Sequence, residues 1–265
     1  MKNRVLLSLL CVLELTACAK ERFVVGKGGV DGDFQTCLAL SEKKKFEEAI
    51  DCLEIYKSRY RGSKQAEEAE LAVGDNFFRK KEYLLAAESY QEFIRNRPLH
   101  TRLDYAYYRL GLSYLMEAPK AIDRDQQYLD DAIEALATQL ELFPNSSYRE
   151  AAATQLTTAR VRTGRRHYYI GRFYYRTGEY RAALPRLEEV IAHYAEVPEL
   201  PQAYYQLVRS YARLGDGAGA GEVMAQMEQK LPDSPWTTRA RKALRAVPPG
   251  TAQAMVETRG HHENQ

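Results

Sequence analysis

A reaction centre needs a nucleophile, an acid and base pair or a set of metal donors held together, and this sequence offers only a few groupings of the right kinds. Clustered carboxylates can bind calcium, and Asp123-Arg124-Asp125 is followed closely by Asp130 and Asp131. A calcium loop also needs a glycine at its sixth position, where Tyr128 stands, so the cluster reads as a solvated loop. His100, His167 and His193 fall in different segments and read as helix-surface or turn residues rather than catalytic bases. Cys37 and Cys52 have no histidine nearby and make a poor zinc set, and His261-His262 sit in a polar tail. Gly26-Lys27-Gly28-Gly29 lacks the order of glycines, lysine and hydroxyl residue that cradles phosphate. The expectation is a protein without catalytic activity, metal or cofactor.

Composition narrows the classes further. The 265 residues are 28% charged and 45% hydrophobic, enough apolar content for a packed core. Lys and Arg number 38 against 36 Asp and Glu, so the formal charge is only +2 and no nucleic-acid partner is expected. Past the first twenty residues no apolar run approaches the roughly 18 needed to cross a bilayer. Residues 1–17 read as a signal peptide: Lys2 and Arg4 precede the apolar stretch Val5 to Leu13. Leu15-Thr16-Ala17-Cys18 resembles the lipobox of bacterial lipoproteins, in which the cysteine becomes the lipidated first residue; Ala19 after it resembles the pattern of those sent to the outer membrane. Lipid at Cys18 would tie the protein to a membrane without a spanning helix. Residues 18–32, with Gly26, Gly28, Gly29 and Gly32, read as a flexible tether. Cys37 and Cys52 would then meet an oxidising compartment, where a disulfide between facing helices and two separate buried thiols are both open.

Stepping along the chain, one pattern repeats. Gly74, Phe77, Tyr83, Ala86, Tyr90, Phe93 and Pro98 set it. Gly171, Tyr174, Tyr180, Ala183, Leu187 and Val190 follow it, as do Val208, Tyr211, Gly217, Ala220, Met224, Met227 and Pro232. Cys37 to Tyr56 gives a degenerate first copy; Gly111 and Tyr114 open another that resumes, after an insertion, at Leu129, Ala132 and Leu136. Small residues on two successive helices let them approach closely while aromatic residues fill the groove beside them, so each copy is a helical hairpin. At about 34 residues per unit the pattern resembles the tetratricopeptide repeat, which explains Tyr 19 beside Trp 1 and Phe 8. The expected fold is all-α, a tetratricopeptide-repeat superhelix of about five hairpins with a concave binding face. Three N-terminal repeats span 33–144. A connector helix of about 30 residues, opened by the capping signature Asn145-Ser146-Ser147, and two further repeats span 145–245; a disordered tail follows at 246–265. The basic stretch Arg160, Arg162, Arg165 and Arg166 reads as a solvated face, with an acidic partner as the alternative.

Leader and repeats together resemble the BamD (ComL, YfiO) family, lipoprotein subunits of the outer-membrane β-barrel assembly machinery. The stretches that carry the resemblance are Pro98-Leu99-His100 with Leu103-Asp104-Tyr105 and Tyr108 to Leu112; Asp123-Arg124-Asp125; and Phe143-Pro144-Asn145-Ser146-Ser147-Tyr148. The family's usual proline after the histidine is Thr101 here. The resemblance implies a lipid-anchored scaffold at the periplasmic face of the outer membrane of a Gram-negative bacterium. Its partners would be a POTRA domain of BamA, other Bam lipoproteins and unfolded outer-membrane proteins. Arg186, in Leu184-Pro185-Arg186-Leu187-Glu188, stands where the family pairs an arginine with an acidic residue of BamA, while Asp104 and Tyr105 are the expected client-binding residues. A second reading is a tetratricopeptide adaptor lipoprotein for cell-wall or Tol-type division machinery, because such repeats are general binding modules. No coiled-coil heptads precede the repeats to favour it.

Overall fold

A computed structural model describes residues 25–245. The signal peptide, Cys18 and the tail at 246–265 lie outside the described residues. Among those described there are eleven helices and no strand. They follow one another in pairs: α1 (Gly29–Glu42) and α2 (Phe46–Arg59), α3 (Lys64–Lys80) and α4 (Tyr83–Asn96), α5 (Leu103–Glu117) and α6 (Gln127–Leu142), α7 (Arg149–Thr177) and α8 (Tyr180–His193), α9 (Leu200–Arg213) and α10 (Gly217–Lys230). A single α11 (Pro235–Arg245) closes the series. The alanines of the repeated pattern, Ala49, Ala86, Ala132, Ala183 and Ala220, are all fully buried. Pro98, Pro144 and Pro232 each stand two residues beyond the end of a second helix, where a ring without an N–H stops its continuation. The chain is thus an all-α series of helical hairpins.

The chain divides into two compact units, one ending at Ser89 and one beginning at Tyr90. In the first, α1, α2 and α3 pack around Cys37, Cys52, Leu53, Tyr56 and Val73, with Phe34 and Phe77 at the edge. Cys37 and Cys52 form a disulfide across the first hairpin, with Cα atoms 5.4 Å apart. Closing a loop of this length stabilises the folded hairpin by about 3 kcal/mol in the chain-entropy account. Helix α1 starts at Gly29, inside the segment expected as tether. Side chains distant in sequence hold it there. The Tyr56 hydroxyl donates to the Val30 carbonyl at 2.9 Å, and the Tyr60 hydroxyl donates to Asp33 at 2.7 Å. Asp33 in turn accepts the Gly28 N–H. The Tyr60 hydrogen bond, helped by that backbone N–H and by Arg59, outweighs burial and holds the Asp33 carboxyl below its ordinary range.

In the second unit, α7 packs against α6, α8, α9 and α5, and α9 packs against α8, α10 and α11. Two glycines of the pattern sit where helices cross closely. A Cβ at Gly111 would lie 2.5 Å from Leu136 Cγ, and one at Gly171 would lie 2.8 Å from Leu187 Cδ2. The principal core gathers Tyr168, Leu187, Val190, Tyr204, Leu207 and Met227. Helix α11 adds buried Ala240 to that core, with Trp236 and Leu244 packed at its edge. The repeated pattern did not announce this helix, which has no following partner among the described residues. Helix α7 is 29 residues long but begins at Arg149, beyond the expected cap. Ser146 is committed elsewhere: its hydroxyl donates to Asp104 Oδ2 at 2.6 Å and accepts the Tyr148 N–H, leaving no side-chain cap on the helix.

Candidate functional site

The expected site residues fall into different surroundings. Arg186 is on α8, its neighbours Ala183 and Leu187 buried beneath it and its own Cβ lying against Gly171. Its guanidinium is exposed and makes no hydrogen bond or ion pair with the described residues. Half-buried His167 on α7 lies close enough to feel Arg186, and its ring stacks on Tyr194 with centroids 5.6 Å apart. Burial pushes the His167 pKa down; Arg186 and Arg166 add to this while Glu189 opposes it. One residue past Leu187, Glu188 accepts a hydrogen bond from the Tyr211 hydroxyl, which raises that phenol to about 12. A charge fixed on a packed helix and left unpaired is suited to meeting a carboxylate on another protein.

Asp104 and Tyr105 are half-buried at the start of α5 and are held from several sides. Asp104 accepts from Ser146 and, through its other oxygen, from the Tyr105 N–H at 2.7 Å. The Tyr105 ring meets Tyr148 at 5.2 Å and the edge of Tyr90 at 6.4 Å, with Arg102 4.5 Å over its face. Tyr108 stacks on Tyr148 at 5.5 Å, and Arg109 donates to the Tyr90 hydroxyl at 3.0 Å. The result is a platform of rings interleaved with guanidiniums.

The basic stretch is largely consumed inside the protein. Arg160 pairs with Glu196 at 2.7 Å and also donates to the His193 carbonyl. Arg165 pairs with Glu199 at 3.2 Å. Arg162 turns its guanidinium onto the carbonyls of Leu115, Ala118 and Pro119, at 3.2, 3.0 and 2.8 Å, and so caps α5. Gln126 completes the inserted loop by donating to the carbonyls of Pro119, Ala121 and Arg124. Asp131, from the acidic cluster, instead lines a cleft of about 240 Å³ with Tyr107, Tyr114 and Glu134. Burial, together with Asp130 and Glu134, pushes its carboxyl up. His100 accepts the Arg102 N–H through Nδ1 and packs its ring against Phe93. No group of three metal-donor side chains converges among the described residues. Residue spacing did not single out Tyr169 and Phe173, two rings left exposed on α7.

Hairpins of this kind, exposing single charges and ring platforms on packed helices, define a helical-repeat protein of the tetratricopeptide class. The model of the YfiO family, outer membrane lipoproteins, matches residues 34–227, and the chain belongs to that family. It is accordingly an outer-membrane lipoprotein, and no described helix is long and apolar enough to cross a membrane. The chain is 28% identical over 259 residues to the outer membrane protein assembly factor BamD of Neisseria meningitidis serogroup A / serotype 4A, covering 90% of this chain and 95% of that one. It is 28% identical over 210 residues to the BamD of Rickettsia prowazekii, covering 78% and 82%. Among solved structures, the TPR2AB-domain:pHSP90 complex of yeast Sti1 is 16% identical, with a TM-score of 0.40 and coverage of 88% and 86%.

Proposed function

We propose that this protein is a non-enzymatic scaffold in outer-membrane protein assembly, anchored through lipid on Cys18. In this reading the repeats at 33–144 engage unfolded outer-membrane proteins, and the connector helix and repeats at 145–245 dock a POTRA domain of BamA, with other Bam lipoproteins as further companions. The observation that carries it is Arg186: an exposed, unpaired guanidinium on a well-packed helix in a family whose relatives are outer membrane protein assembly factors. A planar guanidinium can take a carboxylate through two parallel hydrogen bonds, and losing one partner of such a pair is costly. The ring platform around Tyr105, with Asp104 at its edge, supports the client-binding reading, since aromatic faces accept many side chains with little sequence preference.

The test is co-purification of the tagged, lipidated protein from membranes. Arg186→Glu is expected to lose BamA while keeping the circular dichroism spectrum and melting temperature of the parent, because the side chain is exposed. Wild-type recovery of BamA by that variant, or recovery of cell-wall or Tol components in place of BamA, would overturn the assignment.

A further inference from the structure

Helix α7 has one face that no described helix covers. Its buried side is set by Tyr168 and Gly171, with Tyr175 at the edge of the core. Tyr169, Arg172, Phe173 and Arg176 recur at intervals of three, one and three residues and so lie together on a neighbouring face. Tyr169 is 50% exposed and Phe173 is 56% exposed. With Arg172, Arg176 and Thr177 these rings line a recess of about 450 Å³.

The charges on this face are unspent. Earlier in the same helix Arg160 and Arg165 have glutamate partners and Arg162 is turned onto carbonyls. Arg172 and Arg176 make no hydrogen bond or ion pair with the described residues. With three of the four cations of the basic stretch engaged and Arg166 left over, the acidic-partner reading fits better two to three turns further along the helix, where apolar rings stand beside the cations. Residues four apart on a helix are separated by about 6 Å along the axis. The face is thus two parallel rows, Tyr169 with Phe173 and Arg172 with Arg176, at the same pitch. A second helix with carboxylates four residues apart, beside a row of apolar residues, repeats that pitch and can mate row to row.

We propose that this face of α7 docks an acidic amphipathic helix of a partner protein, its carboxylates on Arg172 and Arg176 and its apolar row on Tyr169 and Phe173. Burying the rings removes water from beside the ion pairs, so the two rows reinforce each other. A membrane surface fits less well: polybasic lipid-binding segments carry about four to eight Lys or Arg, against two unpaired here, and a recess is the wrong shape for a planar interface. This docking surface goes beyond the scaffold reading: it lies on the connector helix that reading includes, but uses neither Arg186 nor the platform around Tyr105.

The test uses the full lipidated chain in phosphatidylcholine nanodiscs and a fluorescent alanine-based peptide of about 16 residues, long enough to be helical, with Glu at every fourth position and Phe after each. Anisotropy titration is expected to give saturable binding that weakens at least about tenfold for the peptide with Gln in place of Glu, for Arg172→Glu with Arg176→Glu, and for Tyr169→Ala with Phe173→Ala. Arg181→Glu, a single charge reversal on an exposed position of α8, should leave the affinity unchanged. Circular dichroism checks that each variant is folded. Equal binding by the α7 variants, equal loss with Arg181→Glu, or absence of saturable binding would overturn the proposal. So would partitioning of the wild-type chain onto phosphatidylglycerol vesicles through Arg172 and Arg176 without peptide binding.

Discussion

At the scale of residues, two glycines of opposite kind separate packing from propensity. Both Gly111 and Gly221 lie inside helices, where glycine is less favourable than alanine by about 1 kcal/mol. An added methyl at Gly221 meets nothing within 4 Å, whereas at Gly111 it collides with Leu136, itself fully buried and unable to swing aside. Gly221→Ala should therefore raise the urea midpoint by an amount matching about 1 kcal/mol. Gly111→Ala should lower it, because overpacking of about 1–3 kcal/mol exceeds the propensity gain. A stabilised Gly111→Ala protein would show that the α5–α6 approach is looser than these contacts require. Other turn positions bear a visible cost, since Lys44 and Lys81 adopt positive φ of 59° and 68° between paired helices, the region that Gly178 and Gly215 occupy in later hairpins.

At the scale of elements, the inserted loop between α5 and α6 depends on a helix that comes later in the chain. Arg162 supplies donors to the Leu115 carbonyl in the last turn of α5 and to the Ala118 and Pro119 carbonyls just past it, without any carboxylate partner. Burial alone lowers its pKa, yet arginine starts so far above neutrality that the guanidinium stays charged at physiological pH. Replacing it by Met keeps much of the packing volume and strands those carbonyls. Arg162→Met should cost about 2–3 kcal/mol of stability and speed hydrogen exchange in residues 115–126 ahead of the rest of the second unit. Uniform acceleration across the whole unit would instead mean that Arg162 acts through general packing.

At the scale of the whole molecule, a row of hairpins has ends that must be closed, because the last one offers an apolar face with no neighbour. Helix α11 supplies the closure for α9 and α10, with Thr237 and Ala240 fully buried and the Trp236 ring tilted against Tyr205 at 5.3 Å. A chain stopped after Lys230 should lose cooperativity in the second unit, with a reduced urea m-value and early proteolysis between α9 and α10. An unchanged m-value and protease pattern would show that α10 alone suffices as an end. In the first unit the disulfide between Cys37 and Cys52 closes the first hairpin covalently.

Local spacing in the sequence determined the repeating hairpins, the buried alanines and the prolines that stop three of the second helices, because neighbours on a helix are fixed by residue intervals alone. It also marked Arg186 as a position to inspect, through resemblance. Tertiary structure alone decided where α1 and α7 begin and which cations remain to meet a partner. Those outcomes rest on bonds between residues far apart in the chain, such as Tyr56 to Val30, Ser146 to Asp104 and Arg162 to Leu115, with separations of 26, 42 and 47 residues. A hydroxyl or guanidinium has several acceptors within reach of its rotamers, and only the packed fold selects one.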